Sequence, residues 1–302
     1  MYKEIDTETI KLIQLYVKTY EYLMQSLKDK VSLGLSTRHT TAILKEIDEA
    51  LFVLDRDTYE YCKVVFPEYY KVTGELVDEE VEQAGYKAIV GFQTTLHQNA
   101  IKKAANDMYQ DLARNTRYMA DEMKKVLQAT SKDIIDRQKI TGESRKTVQK
   151  ELAEELQQQG VHSFVDAGNR RWNIARYADM LLGTKGRILA NEGTMSRLIE
   201  YGEANPKSKN NFDLIQISRH GAKDWCKHYE NTVWSISGES KVYPPVSELP
   251  NGYATLHPKC RHTFKPYIES LRGEGKVISR SFIGKSVKQL NREYYHLVKK
   301  AK

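Results

Sequence analysis

The sequence predicts an α+β protein: a predominantly helical N-terminal region with long helices, then a small α+β C-terminal domain with few antiparallel strands. Apolar residues recur at three- and four-residue steps across roughly the first 165 residues, the period of an amphipathic helix. Short alternating, β-rich runs follow only beyond residue 210. Gly (17) and Pro (7) are scarce in 302 residues, which argues against a turn-rich all-β fold. An apolar fraction of 40% is enough for a packed core and too high for a disordered chain.

The first helix is read from Ile5, Ile10, Ile13, Tyr16, Val17, Tyr20 and Met24, which form one stripe. Gly34 marks a break, and Ser36 suits the N-cap of a second helix through Ala42, Ile43, Ile47, Leu51 and Leu54. Asp55-Arg56-Asp57-Thr58 reads as a turn or cap. A third helix then carries Tyr59, Cys62, Val65 and Phe66 inward and ends near Thr73-Gly74. Cys62 has no neighbouring His or Cys, so it reads as a core residue. From Asp78 to about Ile135 the pattern is nearly unbroken. Ile101, Ala105, Met108, Leu112, Asn115, Met119, Met123 and Val126 approach a heptad seam. Such a helix packs on its neighbours, or self-associates through that face. Thr141-Gly142 interrupts it, and another helix runs to Gly160.

After Gly160 the composition changes. Trp172, Ile174, Tyr177, Met180 and Leu181 open a helix that continues past Gly183 and Gly186 to Tyr201-Gly202. Residues 212–218 and 232–237 read as strands. His262 to Tyr267 is a short last strand, with Pro266 suited to an edge. The expected divisions are 1–165, a helical arm for protein contacts; 166–270, an α+β domain; and 271–302, a basic tail.

Charge is concentrated in that tail. Residues 271–302 hold nine basic residues against two acidic, a net +7 equal to that of the whole chain, so the rest balances to zero. Arg272, Lys276, Arg280, Lys285, Lys288, Arg292, Lys299 and Lys300 are candidate nucleic-acid contacts. The same tail carries Phe282, Ile283, Leu290, Tyr294, Tyr295, Leu297 and Val298, which want an apolar partner. No apolar run approaches the roughly 20 residues of a membrane span, and the polar start, Met1-Tyr2-Lys3-Glu4, does not read as a signal peptide. Three cysteines cannot build a disulfide framework, which points to a reducing compartment.

Chemistry-bearing residues gather between His220 and His262. Two of three cysteines and four of eight histidines fall there: His220, Cys226, His228, His257, Cys260 and His262. The run His257-Pro258-Lys259-Cys260-Arg261-His262 can present several side chains to one point. Cys226, His257, Cys260 and His262 form a candidate structural zinc set, with His220 and His228 as alternative ligands. The non-metal alternative is hydrogen bonding among the same groups. His228-Tyr229-Glu230 has the His-x-Glu form of zinc deaminases, but their Pro-Cys-x-x-Cys half is missing. No other catalytic motif or phosphate loop is recognisable, and the expectation is a protein that is not an enzyme.

The blocks Ile217-Ser218-Arg219-His220-Gly221-Ala222 and Trp234-Ser235-Ile236-Ser237-Gly238, then Tyr243-Pro244, then Cys260-Arg261-His262 closed by Pro266-Tyr267, resemble the phage minor capsid protein 2 family, which is related to the Mu F-like head-morphogenesis proteins. Arg171-Trp172, Tyr177 to Met180 and Asn191-Glu192-Gly193-Thr194 are similar to it more faintly. Lys223-Asp224 stands where the family has Arg-Pro, Tyr229-Glu230-Asn231 where it has Trp-Gln-Gly, and Gly183-Thr184 where it has Arg-Thr. The resemblance implies a head-morphogenesis structural protein of the virion, sited at the portal vertex or in the head interior. Its partners would be the portal protein, other head proteins and packaged DNA, without a membrane; it would pass through the host cytoplasm during assembly. The rival reading is a zinc-dependent enzyme or toxin-like domain built on residues 170–270.

Overall fold

The computed structural model describes residues 2–33, 37–89, 95–141, 147, 163–165, 171–252 and 254–300. The fold is α+β, as the periodicities predict. Helices α1 (Tyr2–Leu33), α2 (Thr37–Gln83) and α3 (Thr95–Thr141) come first. A hairpin of β1 (Ser163–Val165) and β2 (Arg171–Asn173) precedes α4 (Ile174–Ala204). Strands β3 (Leu214–Ile217), β4 (Val233–Ser235) and β5 (Phe264–Pro266) follow, then the short α5 (Glu269–Arg272) and α6 (Val287–Lys300). The chain folds as two compact units, Tyr2–Lys63 with Asn106–Asp179, and Val64–Ala105 with Met180–Lys302.

In the first unit Leu12, Tyr16, Tyr20 and Leu23 of α1 are buried. That stripe is narrower than the one expected: Ile10 is 51% exposed. The phenol of Tyr16 lies 3.3 Å from Thr116 Oγ1 and 3.2 Å from Thr58 Oγ1. One buried hydroxyl thus ties three helices. Asp55 to Thr58 is helix, not a turn. Thr58 Oγ1 donates back to the Leu54 carbonyl at 2.7 Å and Asp55 Oδ2 accepts from Tyr109 at 2.7 Å, so these polar groups are satisfied without breaking the helix. Pro67 likewise sits inside α2. Its missing donor costs a helix bond, offset by burial of Cys62, Tyr69, Tyr70, Val77 and Val81 along α2.

The break expected nowhere between Asp78 and Ile135 falls at Gly85. There φ is +84°, the Tyr86 N–H reaches the Val81 carbonyl at 3.2 Å and the Gly85 N–H reaches that of Glu82 at 2.9 Å. This is a Schellman stop, which needs the left-handed conformation that glycine adopts at no steric cost. Met108 and Leu112 of the predicted seam are buried; the side chains of Asn115, Met119, Met123 and Val126 lie outside the described residues. So do the helix expected up to Gly160, Thr147 apart, and the cap at Ser36.

The second unit is built on a three-stranded antiparallel sheet in the order β4-β3-β5. Ile215 pairs with Trp234 on one side and Pro266 on the other. Pro266 therefore sits on an edge strand, where its missing N–H harms no ladder. Alternation sends Ile215, Ile217, Trp234 and Phe264 into a core with Val77, Val81, Met195, Leu198 and Tyr201. Leu214 and Val233 face the other way, onto Tyr243 and Tyr267. Helix α4 is anchored by Asn191, whose Nδ2 donates to the Ala254 carbonyl at 2.7 Å while its Oδ1 accepts the Phe264 N–H at 2.8 Å. At Gly193 a Cβ would meet Thr73 Oγ1 and come within 3.0 Å of the Tyr70 carbonyl, so α2 and α4 touch backbone to backbone there.

The basic tail is folded onto this unit. Ile278 and Leu290 are buried, and Phe282, Ile283, Val287 and Tyr294 pack on the same core. Among the described residues no helix is long and apolar enough to cross a membrane.

Candidate metal centre

Because β3 is flanked by two antiparallel partners, its C-terminal end meets the starting ends of β4 and β5. The 218–232 loop and the 254–263 segment therefore converge at one end of the sheet. The first brings Cys226, on a one-turn 3₁₀ helix (Trp225–His228) that Asp224 caps by accepting the Cys226 N–H at 2.9 Å. The second brings His257, Cys260 and His262. Its turn is closed by the Cys260 N–H on the His257 carbonyl at 3.1 Å. Pro258 and a Lys259 held at φ +58° fill the central positions, as a type II turn requires. The Lys259 N–H is fastened to Thr184 Oγ1 of α4 at 2.8 Å.

The four predicted residues fall into two groups that share Cys226. The ligand-capable atoms of Cys226, Cys260 and His262 lie within 4.8 Å of one another, and so do those of Asp224, Cys226 and His257. Cys260 Sγ is 3.2 Å from His262 Nδ1 and is within hydrogen-bonding reach of the free thiol of Cys226 and of His257. Cys226, Cys260 and His262 are buried, and His257 is half-buried. The two thiols share their contact unequally. The bond from Cys226 draws the Cys260 thiol down, with help from His257 and His262 against burial, and the same bond together with burial pushes Cys226 up.

Each imidazole is held by its other nitrogen. His257 Nδ1 lies 2.7 Å from the Pro258 carbonyl, and its Nε2 is 3.7 Å from Asp224 Oδ2. His262 turns Nε2 toward Glu230 Oε1 at 3.4 Å. Burial pushes the Glu230 carboxyl up. The N–H groups of Ala222 (2.8 Å) and His220 (3.1 Å), with His262, overcome this and hold it at about 2. Glu230 is thus a fixed anion beneath His262.

Of the alternative ligands, His228 stands in none of the candidate groups among the described residues, while His220 forms a separate one with Glu230 and His262, their ligand-capable atoms within 4.8 Å of one another. His220 is exposed, its ring centroid 4.1 Å from that of His262, on the Glu230 side. His228 stacks on Phe282 at 4.5 Å, and burial, with Lys227 and Lys276 nearby, lowers its pKa. Trp225 covers the cluster, edge-on to His257 at 5.3 Å and bonded through Nε1 to Asn291 Oδ1 at 2.8 Å. Sequence reasoning missed Asp224 and Glu230 as supporting groups. The Asp two residues before Cys226 carried a local capping signal, whereas Glu230 stood out only in the His-x-Glu run, which says nothing of its place beneath His262.

The predicted tail cations fall into distinct settings. Arg272 makes a two-point pair with Glu80 at 2.5 and 2.6 Å. Lys285 pairs with Glu293, and Lys276 Nζ donates to the Glu230 carbonyl at 3.0 Å. Arg280, Lys288 and Arg292 are exposed. The side chains of Lys299 and Lys300 lie outside the described residues.

A sequence model of the family described as phage minor capsid protein 2 matches residues 1–277. No curated protein and no solved structure matches the chain.

Proposed function

The chain belongs to the phage minor capsid protein 2 family, and from that premise we propose that it is a non-enzymatic head-morphogenesis component, assembled in the host cytoplasm and retained in the virion beside the portal. The family match over residues 1–277 carries this reading. Its work there is binding. Tyr22, Phe52 and Val64, large side chains left more than half exposed on the first two helices, suit contacts with the portal protein and other head proteins. Arg280, Lys288 and Arg292, exposed beyond the matched segment, suit sequence-independent phosphate contacts with packaged DNA.

Quantitative mass spectrometry of purified heads tests the location, expecting few copies per head, cross-linked to portal subunits. Absence from purified heads overturns it. The DNA contact is tested by the salt slope of duplex binding. Lys288→Glu with Arg292→Glu should flatten the slope by roughly two phosphate contacts, and an unchanged slope assigns these cations elsewhere.

A further inference from the structure

We infer that Cys226, His257, Cys260 and His262 bind one structural zinc ion, through two sulfurs, His257 Nε2 and His262 Nδ1. This does not depend on the proposed location in the virion. Tetrahedral zinc with Zn–S near 2.3 Å and Zn–N near 2.0–2.1 Å sets its ligand atoms about 3.3–3.8 Å apart. The sulfur of Cys260 and His262 Nδ1 are already 3.2 Å apart, and Cys226 falls within 4.8 Å of both. One donor comes from the Asp224-capped turn and three from the segment that begins at the Pro258-Lys259 turn and runs into β5, so two separate segments of the chain would be pinned together by the ion.

The surrounding groups fit the ion. A ligating histidine needs its second nitrogen held by an acceptor. The Pro258 carbonyl lies 2.7 Å from His257 Nδ1, and the Glu230 carboxylate, fixed by two backbone N–H groups, stands 3.4 Å from His262 Nε2 as the acceptor available to it. His262 Nε2 is a buried polar atom with no hydrogen bond. A proton fixed there by metal binding at Nδ1 points at Glu230. Two thiols each lose a proton to solvent on binding, so Zn²⁺ with two thiolates and two neutral imidazoles is uncharged. A neutral cluster tolerates burial where separate thiolates would not. Four protein ligands leave no open position, so the ion holds shape and activates no water.

The test uses the full chain, expressed with zinc and passed through desalting. Elemental analysis should find one zinc per chain. Replacement by cobalt should give the visible bands of a tetrahedral site and a sulfur-to-metal charge-transfer band. Cys226→Ser and Cys260→Ser should abolish both, while His220→Asn and His228→Asn keep them. Where a cysteine variant fails to fold, the wild-type chain decides: chelator should lower its melting temperature and added zinc restore it. A metal-free chain with a melting curve indifferent to chelator and zinc overturns the site in favour of thiol–imidazole hydrogen bonds. Loss of cobalt bands in His220→Asn but not His257→Asn overturns the ligand set.

Discussion

The guanidinium of Arg197 grips Asp78 at two points, Nε to Oδ1 at 2.7 Å and Nη2 to Oδ2 at 3.1 Å, joining α4 to α2. Its Nη1 donates to Glu200 at 2.7 Å and its Nη2 also reaches the Ile89 carbonyl at 2.5 Å. Tyr201 donates to the same Asp78 at 2.7 Å, and Glu200 pairs with the buried His97. The Arg197 side chain is 1% exposed and its partners Asp78 and Glu200 are 23% and 10% exposed, so removing it leaves two largely buried carboxylates without their cation. Arg197→Met should cost about 3 kcal/mol, read as a lowered urea midpoint at constant slope. Asp78→Asn in that background should cost less than it does alone, because the two share one interaction. Additive losses would mean that the pair is uncoupled.

Alkaline stability follows from the tyrosines. Burial lifts Tyr16 to about 12, against hydrogen bonds to Thr116 and Thr58 that pull the other way. Burial, then the bond to Asp78, lifts Tyr201 to about 12. Both folded values exceed the ordinary 10.0. The stability they contribute is therefore complete below pH 10 and lost as pH rises toward 12. Chemical unfolding at stepped pH should show this decline. Tyr16→Phe should be less stable at pH 8 yet decline less steeply above pH 10; an equal decline would remove Tyr16 from the account.

Two glycines of the same helix make a matched test. Gly193 meets Tyr70 and Thr73, whereas nothing lies within 4 Å of a Cβ at Gly183. Gly193→Ala should cost about 1–3 kcal/mol by overpacking. Gly183→Ala should be neutral or stabilise by up to about 1 kcal/mol, from helix propensity. Equal effects in thermal melts would show that α2 and α4 do not touch there.

Ser235 links β3 to β4 beyond the ladder. Its Oγ donates to Asp213 Oδ2 at 2.5 Å and accepts the Gly238 N–H at 2.9 Å, while Asp213 Oδ1 takes the Ser237 N–H at 2.8 Å. Ser235→Ala should cost about 1–2 kcal/mol, with faster amide exchange at Gly238. Unchanged exchange would place that N–H on another acceptor.

The gathering of Cys and His side chains at one end of the sheet was legible because such residues cluster in sequence between 220 and 262. That Cys226, Cys260 and His262 approach one another, with His257 beside Cys226, was suggested by residue type and by their concentration between residues 220 and 262. Their supports were not. Glu230 acts through backbone N–H groups ten and eight residues earlier, and Thr184 acts from a helix 75 residues away from Lys259. The strands were legible from alternation, whereas the β1–β2 hairpin has only three residues per strand, too few to show a period. The continuous α2 was misread at Asp55–Thr58 and at Thr73-Gly74, where the chain stays helical to Gln83, because local breakers are outvoted by tertiary burial, which a single segment does not display. Asn191 and Gly193, faint as sequence signals, proved to be the places where α4 is tied to β5 and pressed against α2.

The division of the chain sets the order in which it can close during synthesis. Asp78 emerges from the ribosome long before Arg197, 119 residues later, a wait of about 6–24 s at 5–20 residues per second. Until then Val77 and Val81 have no core to enter, since their unit also needs Met180–Lys302. A nascent chain paused in that interval exposes an apolar helix face, which makes it a client for chaperones.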